Sequence, residues 1–350
     1  MFTTILFIFI LSALIIVHEY GHLICAQKLG VRVEKFSLGF GPVLFKKKRK
    51  DTEYSIAAVP LGGFVKLAGD ILEEYKGTPD EYFSQAPGRR FWIVFFGPLL
   101  NYILGFLCFW LIFFRGYPSL KVGGLLEGFG AQEAKIQVGD EITAVDGRRI
   151  YLWEELQNII YAKKSSEVVK LSILREHKKH TVEVKIKEKE LEGQPDQKIG
   201  LIGVTPQTKQ GFFSSFFLSL HKTQGITLMT YKALWRMATG KLSMREMTGP
   251  VGIFYLTSKA ARVGKKAILN LIGLISISLA IFNLLPLPLL DGGHILLLAI
   301  EKLRRRRLSA RSEQVISQIG LTLIVTLALL VTYNDIVRFF GDKISKIFKL

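Results

Sequence analysis

Apolar positions along the chain gather into four dense runs, separated by stretches in which apolar and polar residues alternate. The first run is almost wholly apolar through Val17, apart from Thr3, Thr4 and Ser12, and continues through His18 to His22 as far as about Ala26. The others lie at about 91–114, 267–290 and 316–333. Each is near the length at which a helix crosses a hydrocarbon layer, about 20 residues. No basic residue precedes the first run and no small-residue cleavage pattern follows it, so it reads as a retained span.

The polar stretches predict different elements. In 115–207, Gln137 to Ile142 leads into Ala144-Val145-Asp146-Gly147, where Asp146-Gly147 marks a tight hairpin turn. Leu152, Leu156, Ile159 and Ile160 recur at helical spacing within 151–162. Val168 to Leu174 and Thr181 to Ile186 alternate like paired strands around Glu176 to Lys179. Alternating lysines make His177 and His180 part of a solvated turn rather than a second metal site. From Phe212 to Met237 the pattern is amphipathic and helical, which suits either a membrane surface or the core of the α+β module.

Composition sharpens this picture. Mean hydropathy is +0.30 and only 22% of residues are charged, which separates the chain from ordinary soluble domains. The net charge is +18, from 47 Lys and Arg against 29 Asp and Glu. Much of the excess flanks apolar runs, which fits topological bias and not nucleic-acid binding. Lys28, Arg32, Lys35, Lys46 to Lys50, Arg89-Arg90, Lys302 and Arg304 to Arg307 fall on one side of a four-span arrangement. That side is expected to be cytoplasmic, with the N-terminus, 115–266 and the C-terminus outside. Lys343, Lys346 and Lys349 oppose this more weakly. Cys25 and Cys108 sit in or beside apolar runs and read as small core residues, not a disulfide pair.

The expected fold class is a polytopic α-helical membrane protein of about four spans, with an inserted α+β module. Its expected segments are a first span 1–26, a cytoplasmic-side loop 27–90, a second span 91–114, the module 115–207 and a connector 208–266. A third span with an Asp-Gly motif (267–300), a basic loop 301–315 and a fourth span and tail 316–350 follow.

Candidate chemistry lies in the first span. His18-Glu19-Tyr20-Gly21-His22 places two imidazoles four residues apart, on one face of a helix, where both can bind one metal ion. Glu19 then lies beside the metal and can take a proton from bound water. Neutral imidazoles suit zinc, which keeps an open position when catalytic. Left facing lipid, each ionisable residue would cost about 2.5–3.5 kcal/mol on insertion scales. A third ligand is expected after the third span, in Asn283-Leu284-Leu285-Pro286-Leu287-Pro288-Leu289-Leu290-Asp291-Gly292-Gly293-His294. Asp291 is favoured because a carboxylate offsets the metal's charge; His294 competes for the role, and a plain helix N-cap is the alternative reading of Asp291.

These motifs resemble the site-2 protease family of intramembrane zinc metalloproteases, most closely the bacterial regulator-of-sigma-E protease type. The matching pieces are His18 to His22, Phe36-Ser37-Leu38-Gly39-Phe40-Gly41-Pro42, Val59 to Lys66, Gly97-Pro98-Leu99-Leu100-Asn101, Ser243 to Gly252 and Asn283 to His294. The resemblance implies zinc held by His18, His22 and Asp291, with Glu19 as base. It implies a membrane-associated β-rich hairpin over 36–67, with strands Tyr54 to Val59 and Gly63 to Leu67 around Pro60-Leu61-Gly62. It implies substrate contacts for Asn101, Asn283, Gly62 and Gly63, and a single PDZ-like module that either binds exposed peptide C-termini or filters substrates by size. Asp335 has a family look but reads as an interfacial cap. The implied activity is hydrolysis within transmembrane segments of single-span proteins, such as anti-sigma factors or remnant signal peptides, in the bacterial cytoplasmic membrane. A metalloprotease with a cytosolic site, a non-catalytic receptor displaying the PDZ-like module and a transporter with a helix broken near Pro286 are the rival readings.

Overall fold

A computed structural model of the chain describes residues 2–191, 194–241, 248–306 and 309–347. Ser243 to Met247 of the motif set, and Arg307 and Lys349 of the charge pattern, lie outside the described residues. The chain opens with helix α1 (Phe2–Lys28), strands β1 (Val33–Arg49) and β2 (Thr52–Leu67), and helix α2 (Pro87–Phe114). Next come β3 (Tyr117–Leu125), α3 (Gly130–Glu133), β4 (Glu141–Val145), β5 (Arg148–Arg149) and α4 (Trp153–Tyr161). Strands β6 (Val168–Arg175), β7 (Lys178–Lys185), β8 (Lys187–Leu191), β9 (Gln194–Leu201) and β10 (Val204–Lys209) follow. The remainder is helical: α5 (Phe212–Ala238), α6 (Pro250–Val263), α7 (Lys265–Asn283), α8 (Asp291–Arg304) and α9 (Ala310–Ile347). Two compact units result, 1–108 with 225–350, and 109–224.

In the first unit, α1, α2, α7 and residues 314–339 of α9 are long and apolar enough to cross a membrane. The third apolar run extends to Leu290 and ends in a proline-rich turn; within it, helix α7 stops at Asn283. Pro286 and Pro288 lack the N–H groups a helix needs, so the chain reverses over 284–290 and restarts as α8. Helix α6 was not separable by pattern from the connector around it. Its N-terminus is held by Asp335 of α9, whose Oδ2 accepts from Gly249 N at 3.0 Å and Gly252 N at 2.7 Å. Asp335 thus caps a neighbouring helix rather than its own.

Strands β1 and β2 form a sheet more folded than a simple hairpin. Their tight turn lies at Lys50-Asp51, not at Pro60-Leu61-Gly62. Phe36 has partners in both arms of β2, Tyr54 and Val65, and Leu38 likewise meets Ile56 and Gly63. The first half of β1 therefore lies between those arms, and 60–62 is the bend that lets β2 pass around it. Gly39 and Gly41 supply the matching bend in β1, with φ of 90° and 86° that only glycine adopts cheaply.

The second unit has an apolar interior. Its main sheet runs β10-β3-β4-β6-β7, with β5 paired to β4. Alternation along β6 buries Val169, Leu171 and Ile173 against Trp153, Leu156 and Ile160 of α4. The expected turns fall where the sequence puts them: Asp146-Gly147 and Glu176-His177 both have positive φ. Asp140 is buried and gripped by Arg175 through two 2.7 Å bonds.

Helix α5 reverses the usual amphipathic burial. Ser215, Ser219 and Thr223 are buried, while Phe213 (76%), Phe217 (64%) and Trp235 (70%) are exposed. A core helix of a soluble module would turn the other face inward.

Candidate metal centre

On α1, the buried positions Leu14, His18, Gly21 and Cys25 recur at helical spacing, so His18 belongs to the inward stripe and His22 follows one turn later. Helix α2 crosses close to them. An added Cβ on Gly97 would overlap the His22 ring and touch His18, and one on Gly21 would overlap the Phe96 carbonyl. Two glycines facing one another let the helix backbones approach. Gly292 and Gly293 do the same for the 284–290 reversal, since a Cβ on either would overlap a leucine carbonyl.

That reversal delivers Asp291. Residue Leu290 is the N-cap of α8, and it makes no side-chain capping bond. The Asp291 carboxylate turns instead toward α1: Oδ2 lies 3.1 Å from His18 Nε2 and Oδ1 3.5 Å from His22 Nε2. The two Nε2 atoms are 3.3 Å apart. One ligand atom from each of the three residues lies within 4.8 Å of the others. Asp291 Oδ2 is buried and accepts no hydrogen bond among the described residues.

The surroundings set the ring tautomers. His22 Nδ1 is 2.8 Å from the Ile93 carbonyl, which can only accept, so Nδ1 carries the proton and Nε2 keeps a free lone pair. His18 Nδ1 is 3.5 Å from the Asn283 amide. The contact is made by Asn283 Nδ2, so the amide donates to Nδ1, and His18 Nε2 is the nitrogen that faces Asp291. Two imidazole nitrogens and a carboxylate oxygen thus converge, a donor set that fits zinc and leaves one of four positions open. His294 lines a neighbouring cavity and does not join the three.

Glu19 accepts a backbone hydrogen bond from Val65, and Gly63 packs so close that an added Cβ would lie 3.6 Å from Glu19 Cγ. The far arm of β2 therefore runs beside Glu19. Gly62, with φ of 136°, packs on the Phe40 ring instead. A cavity of about 390 Å³ touches His18, Glu19, His22, Asn283 and Asp291. A second, of about 760 Å³, shares Glu19, His22 and Asp291 and extends past Val65 and Asp70 to Arg90 and Glu301.

Of the residues singled out from sequence, His18, Glu19, His22, Asn283, Asp291 and Gly63 come together. Asn101 does not join them: it is 0% exposed, lines neither cavity, and its side-chain amide has no hydrogen-bond partner among the described residues. Its carbonyl accepts from Ser276 Oγ at 2.7 Å. Sequence reasoning missed the backbone partners Ile93 and Val65, for which no side-chain signal exists. It also read Arg89-Arg90 only as topological charge, whereas Arg90 is buried and pairs with Glu301 of α8 at 2.5 Å.

The helix-borne His-Glu-x-x-His with its converging aspartate defines a metalloendopeptidase. The model of peptidase family M50 matches residues 6–327, and the chain belongs to that family, which upholds the resemblance drawn from its motifs. A putative zinc metalloprotease of Campylobacter jejuni is 34% identical over 352 residues, covering 96% of this chain and 93% of that protein. The zinc metalloprotease RasP of Geobacillus kaustophilus is 30% identical over 414 residues, covering 95% and 97%. Among solved structures, the PDZ domain of an SdrC-like protein from Listeria monocytogenes is similar to 26% of this chain and 88% of its own, at 23% identity and a TM-score of 0.22.

Proposed function

We propose that the chain is a zinc-dependent intramembrane endopeptidase that cuts within or near the transmembrane segments of single-span membrane proteins. The observation that carries this reading is the convergence of His18, His22 and Asp291 beside Glu19 on helices whose outer faces are apolar. His18, His22 and Asp291 would hold the metal. Zinc bound there would act as a Lewis acid and make its bound water acidic enough to ionise near neutral pH.

The chain's own groups supply the rest. Glu19 takes a proton from the attacking water and returns it to the leaving amine. The Val65 N–H aims the Glu19 carboxylate. Asn283 steadies the His18 ring, and its amide is near enough to the cavity to offer a hydrogen bond to a developing oxyanion. A helical substrate hides its carbonyls in internal hydrogen bonds and must unwind before attack. The Gly63–Leu67 arm of β2 offers an edge on which an unwound segment could add as a strand, with Gly62 shaping the bend that leads to it. The larger cavity, which reaches Arg90 and Glu301, offers water a route from the basic, cytoplasmic-side loops to Glu19. For Asn101 we propose a substrate-holding role at one remove, since a buried amide without a partner is free to bond a chain that displaces its neighbours.

The α+β unit is read as a PDZ-like module outside the membrane. Its element order supports that reading, and exposed peptide C-termini are the partners it would take. The apolar outer face of α5 suits a helix lying in the membrane interface. The lipid bilayer, in a bacterial cytoplasmic membrane, is then the medium, and anti-sigma factors or remnant signal peptides are the substrate classes.

The test uses the full chain in detergent with a single-span substrate. Wild type is expected to cut it, chelator to stop cleavage, and zinc to restore it. Glu19→Gln is expected to lose about 10²–10⁴-fold in kcat. Equal cleavage by Glu19→Gln would sink the proposal.

A further inference from the structure

The second half of β1 changes character along its length rather than from face to face. Val43, Leu44 and Phe45 are apolar and exposed, Leu44 at 70% and Phe45 at 61%. Lys46, Lys47, Lys48, Arg49 and the turn residue Lys50 follow without interruption, and all five are exposed. A strand on a solvated sheet alternates apolar and polar positions. Here both faces are apolar over one stretch and cationic over the next. Among the described residues this half of β1 pairs along one edge only, with 52–57 and Val59 of β2. None of the five cations has a carboxylate partner there, whereas Arg32, Lys35 and Lys66 nearby pair with Asp80, Glu53 and Glu74.

We propose that Lys46 to Lys50 form a docking surface for anionic phospholipid headgroups, with Val43 to Phe45 seated among the acyl chains beside them. The inference rests on the membrane-spanning reading of the helices. Helix α1 supplies the depth scale. Ser12 Oγ donates to the Pro60 carbonyl at one end of the sheet, while Thr52 Oγ1 donates to the Val33 carbonyl at the other, just beyond the Lys28 end of the helix. From Ser12 to Lys28 the helix rises about 24 Å at 1.5 Å per residue. Val43 and Phe45, opposite Ala57 and Ile56, lie toward the Ser12 end, and Arg49, opposite Thr52, toward the Lys28 end. The change from apolar to cationic at Phe45-Lys46 therefore runs in the direction of hydrocarbon to phosphate. A cluster of four to eight cations beside a span is the charge pattern that gathers anionic lipid. Topological bias alone requires basic residues in this loop; it does not require five consecutive ones without carboxylate partners on a free edge.

The experiment reconstitutes the full chain in bilayers of equal phosphatidylglycerol and phosphatidylcholine, and counts retained lipids by native mass spectrometry. Wild type is expected to retain phosphatidylglycerol over phosphatidylcholine by about fivefold or more, the factor a single interfacial cation can contribute. K46Q/K47Q/K48Q/R49Q/K50Q is expected to insert normally and to retain both lipids alike. An environment-sensitive fluorophore on Leu44→Cys is expected to shift to the blue in the mixed bilayer, and less so in high salt. Equal retention by an inserted wild type overturns the proposal, as does an unchanged preference in the quintuple variant. A variant that aggregates yet keeps the preference would make the lysines edge guards only, and would also overturn it. A variant that keeps the preference but loses cleavage of substrates with acidic juxtamembrane segments would assign the surface to an acidic peptide instead. A chain that does not insert at all breaks the membrane-spanning reading, a failure distinct from the others.

Discussion

In the α+β unit, Val169, Leu171 and Ile173 are buried while the lysines around them face outward. In the helical unit the positions are exchanged: Phe2, Phe9, Leu329 and their neighbours are exposed, while Arg90, Asn101, Ser276 and Asp335 are buried. The same twenty side chains are thus sorted in opposite directions within one chain. Apolar burial is driven by water, so the first pattern is what water dictates. The second is stable only where the surroundings are as apolar as the helix exteriors and where packing, small residues and internal hydrogen bonds hold the helices together. The Gly21–Gly97 crossing, the Ser276–Asn101 bond and the Asp335 cap are those devices. The candidate metal centre is built from the same inward polar stripe.

The comparison breaks most visibly at Arg90. Arg90→Met would break the ion pair that the buried guanidinium makes with Glu301 and is expected to destabilise the helical unit by about 3–5 kcal/mol. Arg90→Met with Glu301→Leu is expected to recover most of that loss. Hydrogen exchange of α2 and α8 in both variants checks it; equal protection in wild type and the single variant would refute the clamp. A matched pair of substitutions sharpens the contrast between interiors. Leu171→Ala is expected to cost the α+β unit about 2–5 kcal/mol, as cavity formation does in an apolar core. Leu329→Lys is expected to cost about 2.5–3.5 kcal/mol of insertion free energy in a bilayer, although Leu329 is exposed. On a water-facing surface that change would stay within about 0.5 kcal/mol, and finding so would place α9 in water.

The smallest effect separates the units by pH. The Arg175 guanidinium beside Asp140 holds its carboxyl below the usual carboxylate range. A depressed carboxylate contributes stability above its unfolded pKa, about 3.9, and loses it as pH falls through the folded value. Asp140→Asn is therefore expected to weaken the α+β unit by about 1.5–3 kcal/mol near neutral pH. The gap to wild type is expected to close in acid, which denaturant unfolding at neutral and acidic pH measures. A gap independent of pH would contradict the assignment.

Much of this arrangement is legible in the residues, because a long apolar run and a His-Glu-x-x-His each constrain the backbone strongly. The break at Pro286 and Pro288 is legible from the prolines, but the end of α7 at Asn283 is not, because Leu284, Leu285, Leu287, Leu289 and Leu290 keep the run apolar after the helix has ended. Pro60-Leu61-Gly62 looked like a turn because a bend within a strand uses the same residue types; only the pairing of Phe36 with both arms tells them apart. Arg90 was taken for topological charge because position beside a span does not reveal a partner 211 residues away. The Val65 and Ile93 contacts are made by backbone atoms, which any residue would supply. Asn101 and Asn283 look alike as amides in apolar runs; which one reaches the metal centre depends on helix rotation, and that is set by packing.

The account is tested most directly by where the substrate is cut. The full chain would be reconstituted in vesicles with a single-span substrate, and the products sequenced by mass spectrometry. Scission inside the apolar span, lost in Glu19→Gln and on removal of zinc, is the predicted result. Scission confined to the substrate's water-exposed flanks, or cleavage that survives Glu19→Gln, would contradict an intramembrane centre.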